Sequence, residues 1–142
     1  MRNFFAILAV LLFLTSCSST KPTASKPLYE ILAVNNDGGA GIKFYEVLTE
    51  PKEVLMLLGD ETLSQKIKTD DAKTSSFLVL NSGPTKEPYN RIKIEKIIET
   101  ETEILVYIKD TQKNTEADPS NENIVQPYTV VKINSKKPIV FK

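Results

Sequence analysis

Residues 92–108 read IKIEKIIETETEILVYI, and the period of their apolar positions decides the fold. Ile92 and Ile94 alternate with Arg91, Lys93 and Glu95, the period of two that a half-buried strand needs. Ile97 and Ile98 stand side by side, which predicts a bulge or added twist at that point. Glu99 to Thr102 (ETET) is a polar turn, and Ile104 to Ile108 (ILVYI) returns as a second strand. The segment is a β-hairpin. Glu99, Glu101 and Glu103 cluster at its solvated end, where no apolar burial would raise a carboxyl pKa toward neutrality, so they do not make a catalytic pair.

Immediately upstream lies SGPTKEPY, Ser82 to Tyr89. Gly83, Pro84, Thr85 and Pro88 punctuate the chain more heavily than a short turn requires. Tyr89 offers a large contact area at low entropic cost, as recognition residues do. Gly83, Pro84, Thr85 and Tyr89 are therefore candidate partner contacts. The plainer alternative packs Tyr89 on the sheet and leaves the prolines to stiffen the turn. Before this turn, Phe77 to Asn81 (FLVLN) has the continuous apolar character of a strand buried on both faces.

Beyond the hairpin, Asp110 to Gln126 is long and polar, and loops of more than about 12–15 residues are often functional or disordered. Ile124 and Val125 are expected to pin its far end. Tyr128 to Ile133 (YTVVKI) and Ile139 to Phe141 (IVF) are two last strands, joined by a turn over Asn134 to Pro138.

The N-terminal half offers two further strands, Leu28 to Val34 and Gly41 to Leu48, as neighbours in a hairpin. The linking NNDGGAG (Asn35 to Gly41) matches neither phosphate-loop nor calcium-loop spacing and is expected to be a flexible hairpin loop. Pro51 is placed to open a helix, whose apolar stripe is Val54, Leu57 and Leu58, widened by Leu55. The helix ends at Gly59 or runs on to about Gln65. Lys66 to Ser76 is a polar connector, with Asp70 and Asp71 a solvated turn in preference to half of a metal site. The expected fold is mainly β (α+β): a small antiparallel β domain over residues 28–142 with a single helix packed on the sheet.

Residues 1–16 carry the marks of an export signal: Arg2, then the apolar run Phe4 to Leu14, too short for a comfortable membrane span. Leu14-Thr15-Ser16-Cys17 resembles the bacterial lipobox, which implies cleavage before Cys17 and lipidation of its thiol. One acyl chain anchors a protein only reversibly, but the two or three of a bacterial lipoprotein hold it permanently. Ser18 to Pro27 (SSTKPTASKP) is too polar to fold and is expected to be a tether, so residues 17–27 leash the domain to a membrane. By the habit of such lipoproteins, the lack of an acidic residue after Cys17 points to an outer membrane, facing the periplasm.

Composition narrows the chemistry. The chain has no histidine, one cysteine and no tryptophan. Histidine-based triads, Cys–His pairs and zinc–histidine hydrolase sites are thereby excluded. What remains is Ser–Lys chemistry, for which Ser64, Ser82 and Lys66 are available outside any recognisable motif, a carboxylate pair, or an oxygen-ligated metal. No catalytic residue, cofactor or metal is expected. Eighteen basic residues balance eighteen acidic ones, which gives no excess of positive charge for a nucleic acid.

GPTKEPYNRIKIEKI, EILVYIKDT, QPYTVVKI and the closing VF together resemble the C-terminal domain of the PrcB family, lipoprotein subunits associated with secreted protease complexes. Gly83, Thr85 and Tyr89 fall in that family's turn, Ile92, Ile94 and Ile97 in its following strand, and Pro127, Tyr128, Val131, Lys132 and Ile133 in its late motif. The family's paired glycines before the tyrosine are replaced here by Glu87 and Pro88, which alters how the turn would meet a partner backbone. The resemblance implies no catalysis. It implies a protein-binding or assembly subunit, with a peptidase or its maturation machinery as partner. An alternative is a protease inhibitor: GPTKEPY is similar to the recognition loop that chagasin-like inhibitors carry on a β-sandwich, although their companion motif needs a tryptophan.

Overall fold

The computed structural model describes residues 26–87, 89–111 and 123–142. The expected signal peptide, Cys17 and most of the expected tether lie outside the described residues, as do Pro88 and the middle of the 110–126 loop. In chain order the elements are β1 (Tyr29–Asn35), β2 (Lys43–Leu48), α1 (Pro51–Leu57), α2 (Glu61–Ser64), α3 (Asp71–Thr74), β3 (Ser76–Ser82), β4 (Ile92–Glu99), β5 (Ile104–Asp110), β6 (Tyr128–Ile133) and β7 (Ile139–Phe141). One sheet has the order β1-β6-β3-β2 and the other β4-β5-β7. The mainly β expectation holds.

β3 shows why. It is paired along both edges, with β6 and β2, and Phe77, Leu78 and Leu80 are completely buried. Alternation sends Phe77 and Val79 to one face and Leu78 and Leu80 to the other. On the first face lie Val54 of α1, Leu63 of α2 and Ile67. On the second lie Ile92, Ile104 and Val106 of the other sheet. The described chain is thus three layers: helical segments, a four-stranded sheet and a three-stranded sheet.

The hairpin over residues 92–108 is present, with Ile92 opposite Asp110 and Glu99 opposite Ile104. Its bulge falls between Ile94 and Lys96 and not at Ile97-Ile98. The extra residue, Glu95, shifts the phase so that Ile97 turns inward to the core while Ile98 is left partly exposed. The small second sheet is mixed, because β7 runs parallel to β5.

Further expectations are corrected. β1 and β2 are not a hairpin: they occupy opposite edges of the first sheet, because β1 pairs with β6 and β2 with β3. The single helix is three short ones. α1 stops before Gly59, and the carboxylate of Asp60 restarts the chain by accepting from the N–H groups of Thr62 and Leu63 at 2.8 and 2.9 Å. Leu55 does not widen the buried stripe but stands exposed.

Asp71 is no solvated turn either. It is buried under the helical layer, 2.7 Å from the ammonium of Lys132, which projects from β6 on the same face as Val130. Burial alone would raise its pKa, but the hydrogen bond from Lys132 and that from the Lys68 N–H outweigh it and hold the carboxyl below the usual range.

Candidate functional site

One end of the two-sheet stack is built from three segments: residues 36–42, 83–91 and 123–127. Asn81, at the end of β3 and only 1% exposed, joins them to the sheet. Its amide Oδ1 accepts from Ala40 N at 2.9 Å, and its Nδ2 donates to Ala40 O at 2.9 Å and to Ile42 O. Gly39 donates to Gln126 O at 2.8 Å. A Cβ there would lie 2.2 Å from Asn81 Oδ1 and 2.6 Å from Gln126 O. Asp37 accepts from Gln126 N at 2.8 Å. That bond, and one from the Gly38 N–H, hold the Asp37 carboxyl below its ordinary value. Gly39 serves close approach and Gly38 a left-handed turn at φ +93°, and the segment expected as a flexible hairpin loop is instead a fixed crossover.

Against this base sits the candidate turn. Gly83 has φ +71°, and a Cβ on it would meet Lys43 N at 3.0 Å, so glycine is required twice over. Thr85 and Val125 exchange two backbone hydrogen bonds of 2.9 Å, an isolated antiparallel bridge. The expectation that Val125 pins its loop is met, and what it is pinned to is the candidate turn. Asn90 N donates to Glu87 O, and Asn90 Nδ2 to Glu87 Oε2, both at 2.9 Å. Pro84 and Thr85 are half-buried, whereas Tyr89 is 62% exposed. The alternative in which Tyr89 packs on the sheet is not what the chain adopts. Of the four candidate contacts, Gly83 shapes the turn, Pro84 and Thr85 fix it, and Tyr89 is presented.

The residues considered for Ser–Lys chemistry have separate structural partners. Ser82 is buried and its Oγ accepts from Ile92 N at 3.0 Å. Ser64 Oγ donates to Glu61 O at 2.9 Å, and Lys66 Nζ donates to Leu32 O. Among the described residues, no cluster of three or more His, Cys, Asp or Glu side chains is placed to hold a metal ion.

Next to the turn the sequence concealed a second feature. Between β1 at the edge of one sheet and β4 at the edge of the other runs an apolar groove of about 350 Å³, lined by Ile31, Val34, Arg91, Ile92, Lys93, Ile94 and, from β6, Thr129. Ile31 and Val34 are 54% and 51% exposed. Spaced three apart, they would face opposite sides of a regular strand; the register shift between Ile31 and Ala33 brings them to the same side. The unbroken ILAV run without alternation was the available signal. Arg91 ties the groove to the crossover. Its Nη2 donates to Asn36 Oδ1 at 2.8 Å, while Nη1 is buried and has no hydrogen-bond partner among the described residues.

No family model, curated protein or solved structure matches this chain.

Proposed function

We propose that this chain is a non-enzymatic, membrane-tethered lipoprotein whose turn at residues 83–89 binds a protein, as a PrcB-like assembly subunit of a peptidase complex would. The observation that carries the reading is the construction of the turn. A left-handed Gly83, the Thr85–Val125 bridge and the Glu87–Asn90 hydrogen bonds hold the backbone fixed, and Tyr89 is left exposed upon it. A rigid support carrying an exposed aromatic side chain favours association, because little freedom remains to be lost on binding. The tether reading adds the membrane: a lipid on Cys17 and a polar leash to Pro27 would hold this surface in the cell envelope, facing the periplasm if the outer membrane is the destination.

A photo-crosslinking residue placed at position 89 of the full-length chain in cells tests the binding, with the same residue at exposed Met56 as control. Adducts at position 89 with a peptidase or its secretion apparatus, absent at position 56, are expected. Identical, abundance-weighted adducts at both positions would end the reading. Labelled palmitate should enter the wild-type chain and not Cys17→Ser; equal labelling would remove the anchor.

A further inference from the structure

Resting on that protein-binding reading, we infer that the groove between β1 and β4 receives an extended segment of the partner, laid along the free edge of β4, that carries an acidic side chain between aliphatic ones. Three observations combine. First, β4 is an edge strand, and among the described residues no strand pairs with its outer side. Such an edge is a ready template for a further strand. β1 is protected differently: its Leu32 carbonyl, at the register shift, is taken by the Lys66 ammonium. The two edges flanking the groove are thus unequal, and the open one is β4.

Second, apart from Thr129 of β6, the floor and far wall are aliphatic. Ile92 and Ile94 lie on β4, with Ile31 and Val34 across from them. An added strand would direct alternate side chains inward, which suits aliphatic residues at every second position. Third, the charged residues in the lining are Arg91 and Lys93, both cationic. The Arg91 guanidinium is already fixed by Asn36, and among the described residues its buried Nη1 has no acceptor. A buried donor without an acceptor favours any ligand that supplies one, and carboxylate is the acceptor that guanidinium geometry fits best. The carboxylate belongs to a side chain and not to a chain terminus, because the β4 edge continues beyond the groove to Glu99 and a strand added there would run on.

The test uses the full-length chain in detergent and an array of end-blocked nonapeptides, alternating Val and Thr, with each of the twenty amino acids at the central position. Asp and Glu peptides should bind at least tenfold more tightly than their Asn and Gln counterparts, measured by fluorescence polarisation. Arg91→Gln should reduce that preference to less than twofold. Arg91 also contacts Asn36, so exposed Val34→Ser serves as a second variant: it should weaken every peptide several-fold with an unchanged melting temperature. An array without acidic preference overturns the proposal, as does a preference that survives Arg91→Gln or a dimer of this chain that occupies the groove. A flat array beside intact position-89 adducts would sink the groove alone. An acidic preference without those adducts would sink the turn and leave the groove standing.

Discussion

Two segments that touch at one end of the molecule are built on opposite plans. Residues 36–42 are rich in glycine yet locked, through Asn81 and Gln126, into a single path. Residues 83–87 and 89 are also held by hydrogen bonds, but they end in an exposed aromatic ring. The difference lies in what each segment's backbone bonds to. The first is bonded through its backbone to Asn81 and Gln126, and its one large apolar side chain, Ile42, stands 68% exposed. The second is held by the left-handed Gly83, the two Thr85–Val125 bonds and the Glu87–Asn90 bonds, and carries Tyr89 exposed. In the first segment Gly39 reports close packing, not freedom of movement.

The comparison is most severely challenged at Asn81. Asn81→Ala removes three hydrogen bonds and leaves the Ala40 N–H and carbonyl without their partner; a loss of about 3 kcal/mol in urea unfolding is expected. A loss under about 1 kcal/mol would mean the crossover is not held there. Gly39→Ala comes next, at about 2 kcal/mol, since its methyl overlaps both Asn81 and the Gln126 carbonyl. A neutral result would restore the flexible-loop picture.

Acid sharpens the contrast more gently. The Asp37 carboxyl is held below the ordinary 3.8 by the Gln126 and Gly38 N–H groups. Because the folded value is the lower one, the anchoring is complete above the unfolded value and is lost as pH falls through the folded one. The Gln126 amide, followed by NMR, should therefore change with a midpoint below 3.8; a midpoint at or above that value contradicts the anchor. The smallest stability effect belongs to Tyr89→Ala. An exposed ring should cost no more than about 0.5 kcal/mol, while partner adducts at this end fall at least tenfold. A large loss of stability would recast Tyr89 as a structural residue.

What could be read in advance was local. Alternation around Ile92 and Ile94 announced the hairpin, and FLVLN announced a doubly buried strand, because both patterns sit within a few residues. Pairings between distant residues were not legible. Nothing in LYEILAV says that its partner is YTVVKI, and so β1 and β2 looked like neighbours. Asp71 looked solvated because Lys132, which neutralises it, lies on a strand far along the chain. Tyr89 could be nominated from its residue type, whereas Arg91 stood inside an alternating strand pattern and gave no sign of lining a groove.

One pairing has a mechanical consequence. β1 starts beside Asn134, whose side-chain amide donates to Pro27 O at 2.7 Å and whose N–H donates to Leu28 O at 2.8 Å. It ends at Asn35, next to the Asn36 that Arg91 holds. The point where the N-terminal segment enters and the surface that carries Tyr89 are therefore at opposite ends of the same strand. Tension between a grip at that surface and a pull through Pro27 runs lengthwise along β1. Antiparallel hydrogen bonds stand perpendicular to their strands, so the β1–β6 ladder shares such a load in shear and does not open one pair at a time, and the Asn134 clamp takes up the strain first.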